Sequence, residues 1–259
     1  MKTDLPLEIS ELLKEITESY LNILGENLVG IYVHGSLAFG CFTKGISDVD
    51  YIAVVKTDPS SDQKTEIIKE TLRLEEQNPP KGLEMHVLAL SDCQNFVQPS
   101  PFLLHYSAFH KERAKNSPQD FALSMRGTDP DLAAHVTVMN AVGFPIYGEP
   151  VDKVFSPVSP RDYLDSIMFD VASAAEEITE NPVYFTLNLC RVLAYVKDQK
   201  VLSKADGGKW GLDNLPQDHH RLISNAQQAY LGKADYLSSA NEEKTFAEFA
   251  LRKIGKYVG

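Results

Sequence analysis

The stretch HGSLAFGCFTKGISDVDYIAVV, residues 34–55, decides the fold of the N-terminal half of this chain. The apolar run before it, residues 28–33, predicts a strand that a glycine-serine pair ends. A second predicted strand, residues 49–55, begins inside an Asp-x-Asp triplet. Strand, turn, paired aspartates and strand therefore form one unit, with its polar groups at the strand ends.

The residue types in this unit suit a phosphate and a metal ion. Gly35 allows the backbone to turn sharply and approach a ligand. Ser36 offers a hydroxyl and an N–H near a predicted helix N-terminus, where an anion is favoured. Asp48 and Asp50 are two residues apart, so a strand places both carboxylates on one face. Such close carboxylates repel each other unless a cation lies between them, and Mg²⁺ prefers oxygen ligands of this kind.

A third carboxylate lies on the next predicted strand, LEMHVLAL at residues 83–90. Glu84 and His86 alternate there with apolar residues, which predicts a strand with one wet face. Glu84 is then either a surface glutamate or a third acidic group of the same site. A glycine-serine turn or an Asp-x-Asp triplet alone is common, whereas their combination at strand ends is much more specific.

The composition limits the classes of partner. The chain has 259 residues, a formal net charge of −11 and three cysteines without a CxxC pair. Clustered basic residues are needed for phosphate contacts, so we expect no nucleic-acid partner. An acidic balance suits a cationic small molecule, and it also suits solubility alone. The cysteines predict neither a disulfide framework nor a zinc site. Without a signal-peptide pattern or a membrane-length apolar run, we expect a cytoplasmic protein with no membrane contact.

A proline-rich segment, residues 145–160, divides the chain into two predicted domains, 1–155 and 156–259. Beyond it, Ser159 followed by proline predicts a helix start. An apolar face from Leu164 to Ile178 predicts one helix there. The following segment, residues 182–198, is apolar on most sides and predicts the centre of a helical bundle. The fold class is α+β: a mixed sheet with helices, then an α-helical bundle.

At this point the chain resembles a known family. Residues 34–55 match the signature of the DNA polymerase β-type nucleotidyltransferase superfamily. Six further blocks extend the resemblance, in the right order, to the aminoglycoside (3″)(9) and (9) adenylyltransferases, which modify streptomycin and spectinomycin: LEMHVLAL, PFLLHYSAFH, DPDLAAHVTVMNAVG, NPVYFTLNLCRVLAYVKDQKVLSK, KWGLDNLP and AQQAYLG. The resemblance implies a nucleotidyltransferase domain, a helical bundle and an active site in the cleft between them, in a monomer.

The resemblance also implies roles for individual residues. Asp48, Asp50 and Glu84 match the ligands of one or two Mg²⁺ ions, and Glu84 matches the catalytic base. The positions implied at the nucleotide, with ATP as co-substrate, are Gly35, Ser36, Ser47, Arg191, Lys204 and Tyr230. The residues alone say less about the helical domain. An arginine in a largely apolar helix needs a partner, which for Arg191 is either a carboxylate or a phosphate.

Three positions that the resemblance implies for the acceptor substrate depart from the family pattern. Phe109 stands where streptomycin-modifying relatives carry tryptophan. Glu177 and Asn181 stand where they carry aspartate, and Asn181 also suits a helix N-cap. The sequence assigns no role to His34. His105 and His110 are five residues apart, which does not suit two metal ligands on one helix face.

The expected activity is transfer of AMP from ATP to a hydroxyl of an aminoglycoside or aminocyclitol antibiotic, spectinomycin or streptomycin, with release of pyrophosphate. Two alternatives remain open at this level. The acceptor hydroxyl could belong to a protein or a metabolite, or the chain could be an inactive nucleotide-binding relative.

Overall fold

The computed structural model of the chain describes residues 5–77 and 81–258. The chain divides into two compact units, Met1–Val158 and Ser159–Gly259. Among the described residues, no helix is both long and apolar enough to cross a membrane.

The N-terminal unit is built on a five-stranded mixed sheet and a two-stranded ribbon. Its strands are β1 Leu28–Val33, β2 Val49–Val55, β3 Leu83–Ala89, β4 Ser100–Phe102, β5 Leu104–Tyr106, β6 Gly127–Asp129 and β7 Phe144–Tyr147. The sheet has the order β5-β3-β2-β1-β7, and β4 pairs with β6 in the ribbon. Strands β2 and β3 run parallel, while the other pairs are antiparallel.

Helices cover both faces of this sheet. They are α1 Leu7–Leu24, α2 Gly35–Phe39, α3 Ser61–Gln77, α4 Leu90–Gln94, α5 Lys111–Asn116, α6 Pro118–Ser124, α7 Leu132–Val142 and α8 Val151–Val154, with a 3₁₀ turn at Gly25–Asn27 and another at Ala108–His110. Successive side chains of β2 point to opposite faces of the sheet, which explains why helices pack on both faces. Tyr51 faces α1, where its hydroxyl lies 3.2 Å from that of Tyr20. Ile52 points the other way, into a core shared with α7 and α8.

The wet face predicted for β3 is wrong at His86. Glu84 is half-buried, but His86 is 1% exposed. The ring of His86 contacts Phe102 of β4 and His135 of α7, and its Nε2 lies 3.0 Å from a carboxylate oxygen of Asp129. The two-stranded ribbon and α7 therefore cover the polar face of β3 at His86 and leave it partly open at Glu84.

Among its described residues, the C-terminal unit contains helices and connecting loops and no strand. Its helices are α9 Pro160–Phe169, α10 Ala174–Glu177, α11 Pro182–Asp198, α12 Lys204–Asn214, α13 His220–Tyr230 and α14 Ala240–Val258, with a 3₁₀ turn at Gln217–His219. The long apolar helix α11 packs against α12, α13 and α14. Its interior residues, including Leu187, Leu189 and Leu193, are fully buried.

The single helix predicted to run to Ile178 is wrong, because the chain breaks between α9 and α10. The N–H groups of Val171 and Ala172 bond to carbonyls three residues back, those of Met168 and Phe169. Such 3₁₀-type bonds wind the chain more tightly and rotate the residues that follow. As a result Ala174 is buried where the continuous pattern pointed to Ala175.

The predicted α+β architecture, a mixed sheet with helices followed by a helical domain, is confirmed. The boundary that we infer from the sequence, after residue 155, falls in the connection between α8 and α9.

Candidate active site

Three carboxylates meet at the edge of the sheet where β2 and β3 begin. Asp48 immediately precedes β2, and Asp50 and Glu84 are register partners on the two parallel strands. One ligand oxygen from each of the three lies within 4.8 Å of the other two. All three side chains are partly exposed. The sequence predicted this group, and the parallel pairing is what brings Glu84 to the aspartates.

The turn after β1 lies directly against this group. Gly35 has a φ of +60°, and a Cβ at this position would collide with the Asp50 carboxylate. The neighbouring His34 N–H donates to the backbone carbonyl of Asp50 over 3.1 Å, which fixes the turn to the start of β2. Glycine is therefore required here both by the backbone conformation and by the space that Asp50 occupies.

Ser36 supplies an unsatisfied polar atom in this turn. Its hydroxyl oxygen is buried and has no hydrogen-bond partner among the described residues. A buried hydroxyl without a partner is costly in a folded protein. A phosphate oxygen bound beside the three carboxylates would satisfy it.

Ser47 has a structural task in the loop before Asp48. It is 3% exposed, and its hydroxyl oxygen accepts a hydrogen bond from the Thr43 N–H over 3.1 Å. The Ser47 N–H in turn donates to the Thr43 carbonyl over 2.8 Å. These two bonds close the loop and set the position from which Asp48 enters the site.

The start of β3 is held by a buried glutamate that the sequence did not single out. Glu75 of α3 accepts hydrogen bonds from the Leu83 N–H and the Tyr106 hydroxyl, and it forms an ion pair with Lys111 over 2.8 Å. Burial and the Glu75 carboxylate raise the pKa of Tyr106, so its hydroxyl stays a donor. Because Leu83 precedes Glu84, Glu75 positions the third carboxylate. One sequence signal separates Glu75 from its exposed neighbour Glu76: Ile68, Leu72 and Glu75 have the i, i+4, i+7 spacing of an apolar helix face.

The three carboxylates fit a Mg²⁺ ion. Magnesium binds hard oxygen ligands, commonly one or two carboxylates together with substrate phosphates. The spacing of the oxygens and the partly exposed edge leave room for both. Asp48, Asp50 and Glu84 are the residues that would hold the ion.

In the helical domain, neighbouring groups orient Arg191 and Lys204. Arg191 Nε donates to the Leu202 carbonyl over 2.8 Å, and Nη1 donates to the Asn188 side-chain oxygen over 2.9 Å. Neither of these partners is a carboxylate, so among the described residues the carboxylate partner that we considered from the sequence is not found. Lys204 begins α12, and its ammonium group lies 4.9 Å from the ring centre of Tyr184. Tyr230 is the last residue of α13 and is half-buried.

The three positions considered for the acceptor substrate are all exposed. Phe109 is 92% exposed, in the 3₁₀ turn after β5. Glu177 ends α10 and accepts a hydrogen bond from the Ser173 hydroxyl over 2.6 Å. Asn181 occupies the N-cap position of α11, but its side chain makes no capping hydrogen bond. The N-cap role that we considered for the Asn181 side chain is therefore wrong.

A mixed sheet with an acidic triad beside a glycine-serine turn, followed by a helical domain, is the arrangement expected of the nucleotidyltransferase class. Comparison with known proteins narrows this class. Residues 153–253 match the family model described as "Aminoglycoside adenylyltransferase, C-terminal domain". Over nearly its whole length the chain is similar to aminoglycoside adenylyltransferases.

Two relatives and one solved structure illustrate the similarity. An aminoglycoside (3″)(9) adenylyltransferase of Shigella flexneri is 22% identical, with 97% of each chain covered. A spectinomycin 9-adenylyltransferase of Campylobacter jejuni is 20% identical, with 90% of each chain covered. The crystal structure of a spectinomycin adenyltransferase from Enterococcus faecialis with ATP and spectinomycin superposes with a TM-score of 0.80, at 17% identity, covering 95% of this chain and 99% of that one.

Proposed function

We propose that this chain transfers AMP from ATP to a hydroxyl group of an aminoglycoside or aminocyclitol antibiotic and releases pyrophosphate. The observation that carries the proposal is the meeting of Asp48, Asp50 and Glu84 beside the unsatisfied Ser36 hydroxyl. The family supports the choice of AMP and of an antibiotic acceptor, because its named relatives are adenylyltransferases of such compounds.

Within this proposal each carboxylate has a task. Asp48 and Asp50 would hold Mg²⁺ at the triphosphate site. When bound, the ion neutralises phosphate charge and polarises the phosphoryl group. Glu84 accepts the proton of the substrate hydroxyl as its oxygen bonds to the α-phosphorus. The bond from that phosphorus to the pyrophosphate oxygen breaks, and the pyrophosphate leaves with its charge.

The turn and the helical domain supply nucleotide contacts in the proposal. Gly35, Ser36 and Ser47 belong to the loops beside the carboxylates, and the partnerless Ser36 hydroxyl supports a phosphate there. Arg191 and Lys204 are assigned to phosphate groups, and Tyr230 to the nucleotide. The fixed guanidinium of Arg191, with its hydrogen bonds to a carbonyl and an amide oxygen, supports that assignment, because preorganised donors lose less entropy on binding.

The acceptor is a cation in this proposal. The chain carries a net charge of −11, and acidic residues of this kind attract polycationic drugs. Phe109, Glu177 and Asn181 are the positions that we assign to drug selection. The exposed ring of Phe109 offers a contact face. The carboxylate of Glu177 offers a negative charge to an amino group.

The direct test is a transfer screen with ATP labelled in the α-phosphate. Spectinomycin, streptomycin and several other aminoglycosides are offered separately, alongside cell-lysate protein and a metabolite extract. We expect the label on one or both of the first two drugs, with one pyrophosphate released for each AMP transferred. Label on lysate protein or on a metabolite alone would reject the antibiotic acceptor and keep the transferase. If no acceptor is labelled although ATP is bound, both the antibiotic acceptor and the transferase activity are rejected.

A further inference from the structure

The N-terminal domain contains a second cluster of potential metal ligands, separate from the three carboxylates. His86 of β3, His105 of β5 and Asp129 of β6 each offer a ligand atom, and these atoms lie within 4.8 Å of one another. From this geometry we propose that the cluster binds a divalent transition-metal ion of the Zn²⁺ type. The inference is independent of the proposed AMP transfer.

The donor set selects the class of ion. Two imidazole nitrogens and one carboxylate oxygen suit Zn²⁺ and its neighbours rather than Mg²⁺, which prefers oxygen alone. Zinc sites with three protein ligands keep a fourth position for water or another ligand. The same residues could also hold Fe²⁺ or Co²⁺, since two histidines and one carboxylate serve those ions as well.

The distance between His86 and Asp129 is close to that of a formed site. His86 Nε2 lies 3.0 Å from Asp129 Oδ2. Two ligands of a tetrahedral zinc ion are separated by about 3.4 Å, given bond lengths near 2.1 Å. The His86–Asp129 pair therefore already has nearly the required spacing. A metal ion would take the place of the proton on His86 Nε2, and that proton would move to Nδ1 so that the ring stays neutral. The His105 ring stacks on His86 with a centroid separation of 4.0 Å, so His105 would have to rotate out of this stack to direct its ring nitrogen at the same ion.

Two of the proposed ligands are oriented from behind, as metal ligands usually are. His105 Nδ1 lies 3.1 Å from the Met85 carbonyl oxygen, which leaves Nε2 as its coordinating atom. Asp129 Oδ1 accepts a hydrogen bond from the Asp131 N–H over 2.8 Å, which leaves Oδ2 facing His86. Such backing partners hold a ligand's rotamer before the ion arrives.

The surroundings favour neutral imidazoles, which are the form that binds metal. Burial lowers the pKa of His86 to about 4 and that of His105 to about 3. His105 and Asp129 remain partly exposed, so an ion has a path to the site. The adjacent His135 has a buried Nδ1 without a hydrogen-bond partner among the described residues, and its ring centre lies 5.5 Å from that of His86.

A metal ion here would add coordinate bonds between two sheets of the domain that already pack against each other. His86 and His105 belong to the five-stranded sheet, and Asp129 belongs to the two-stranded ribbon. His86 is two residues along β3 from Glu84 and on the same face, about 7 Å away. The ion would therefore fix the ribbon to the strand that carries the third carboxylate.

The test uses the full chain, freed of metal by a chelator and kept in excess Mg²⁺ so that the carboxylate site is saturated. We expect one Zn²⁺ ion to bind per chain, and Co²⁺ to give the visible absorption of a low-symmetry site that Zn²⁺ then removes. His105→Gln and Asp129→Asn should each weaken Zn²⁺ binding by at least about 100-fold, more than the loss of an outer-shell partner. His219→Gln, in the helical domain, and Asp48→Asn, in the carboxylate site, are the controls and should keep it.

Several results would overturn the proposal. One is absence of Zn²⁺ binding in excess Mg²⁺, and another is binding that Asp48→Asn abolishes and His105→Gln retains. Should the ligand variants fail to fold by circular dichroism, nitrogen NMR of the wild-type histidine rings decides. Zn²⁺ should then shift the ring resonances of His86 and His105 and leave those of His219 and His220 in place. Unmoved resonances of His86 and His105 would reject the site.

Discussion

Asp50 and Glu84 are register partners on the parallel strands β2 and β3. Their Cα atoms are thus about 4.8 Å apart, and their side chains point to the same face of the sheet. Gly35 approaches the Asp50 carboxylate from the turn after β1. The acidic site therefore results from strand pairing. The backbone of the Gly35 turn lies directly against it, because glycine has no side chain.

Replacing Gly35 by alanine should abolish transfer. The added Cβ would displace the Asp50 carboxylate, and a misplacement of about 1 Å can cost about 100-fold in rate. Gly40→Ala is a matched control, because Gly40 also has a positive φ but a Cβ there meets open space. Both variants should lose about 1–2 kcal/mol of stability from the left-handed backbone. Equal kcat values for the two would contradict the proposed contact with Asp50.

Glu75→Gln should destabilise the N-terminal domain. The buried carboxylate accepts from the Leu83 N–H and pairs with Lys111, so its loss should cost about 2–4 kcal/mol, less than for a fully buried pair because Lys111 is partly exposed. Urea unfolding followed by circular dichroism measures this. Glu76→Gln, one residue on, removes only an exposed pair with Lys115 and should change little. Similar midpoints for both variants would contradict the role of Glu75.

Much of the fold could be predicted from the sequence because its strands and helices show local patterns of apolar and polar residues. An apolar run that ends before a glycine predicts strand β1, and an apolar run that begins at the paired aspartates predicts strand β2. The pairing of Asp50 with Glu84 is different in kind, since it depends on β2 and β3 being parallel neighbours. Local periodicity does not specify that pairing. The alternation along the strand left Glu84 as one of two possibilities, and the family resemblance linked it to the aspartates.

The features that the sequence did not predict depend on contacts distant in the chain. Strands β4, β5 and β6 have three residues each, too few for a period to appear. His86 is buried because the ribbon of β4 and β6 covers it. His105 contacts His86 across the paired strands β3 and β5, which the search for a helical spacing could not predict. Glu75, which holds the start of β3, lies on the apolar face of its helix by spacing, but its partners Leu83, Tyr106 and Lys111 are set by the tertiary fold.

Arg191→Ala should raise the KM for ATP by about tenfold or more, the loss of one hydrogen bond to a charged group. It should also loosen the helical domain, because the Leu202 carbonyl and the Asn188 oxygen lose their donor. Lys197→Ala removes a basic residue from the same helix, one that contacts Asn214 at the surface, and serves as control. An Arg191→Ala protein with lowered stability and an unchanged KM would assign this arginine to structure alone.

Cysteine labelling reports on the turn beside the carboxylates. Burial raises the pKa of the thiols of Cys93 and Cys190, and both are almost fully buried. A thiol reagent should therefore label Cys41 alone in the folded protein, and the other two only after unfolding. The Cys41 N–H bonds to the Ser36 carbonyl, so ATP with Mg²⁺ should slow its labelling. An unchanged rate would contradict nucleotide binding at this turn; Cys41→Ser gives the background.

The central claim is that Glu84 takes the proton from the acceptor hydroxyl at a site formed with Asp48 and Asp50. Its most direct measurement is single-turnover AMP transfer by Glu84→Gln, with ATP and Mg²⁺ binding followed by calorimetry on the same preparation. We predict a loss of transfer of about 100- to 10,000-fold, the usual contribution of a general base, with ATP binding largely kept. Glu76→Gln should transfer at the wild-type rate. Transfer by Glu84→Gln at that same rate would contradict the claim.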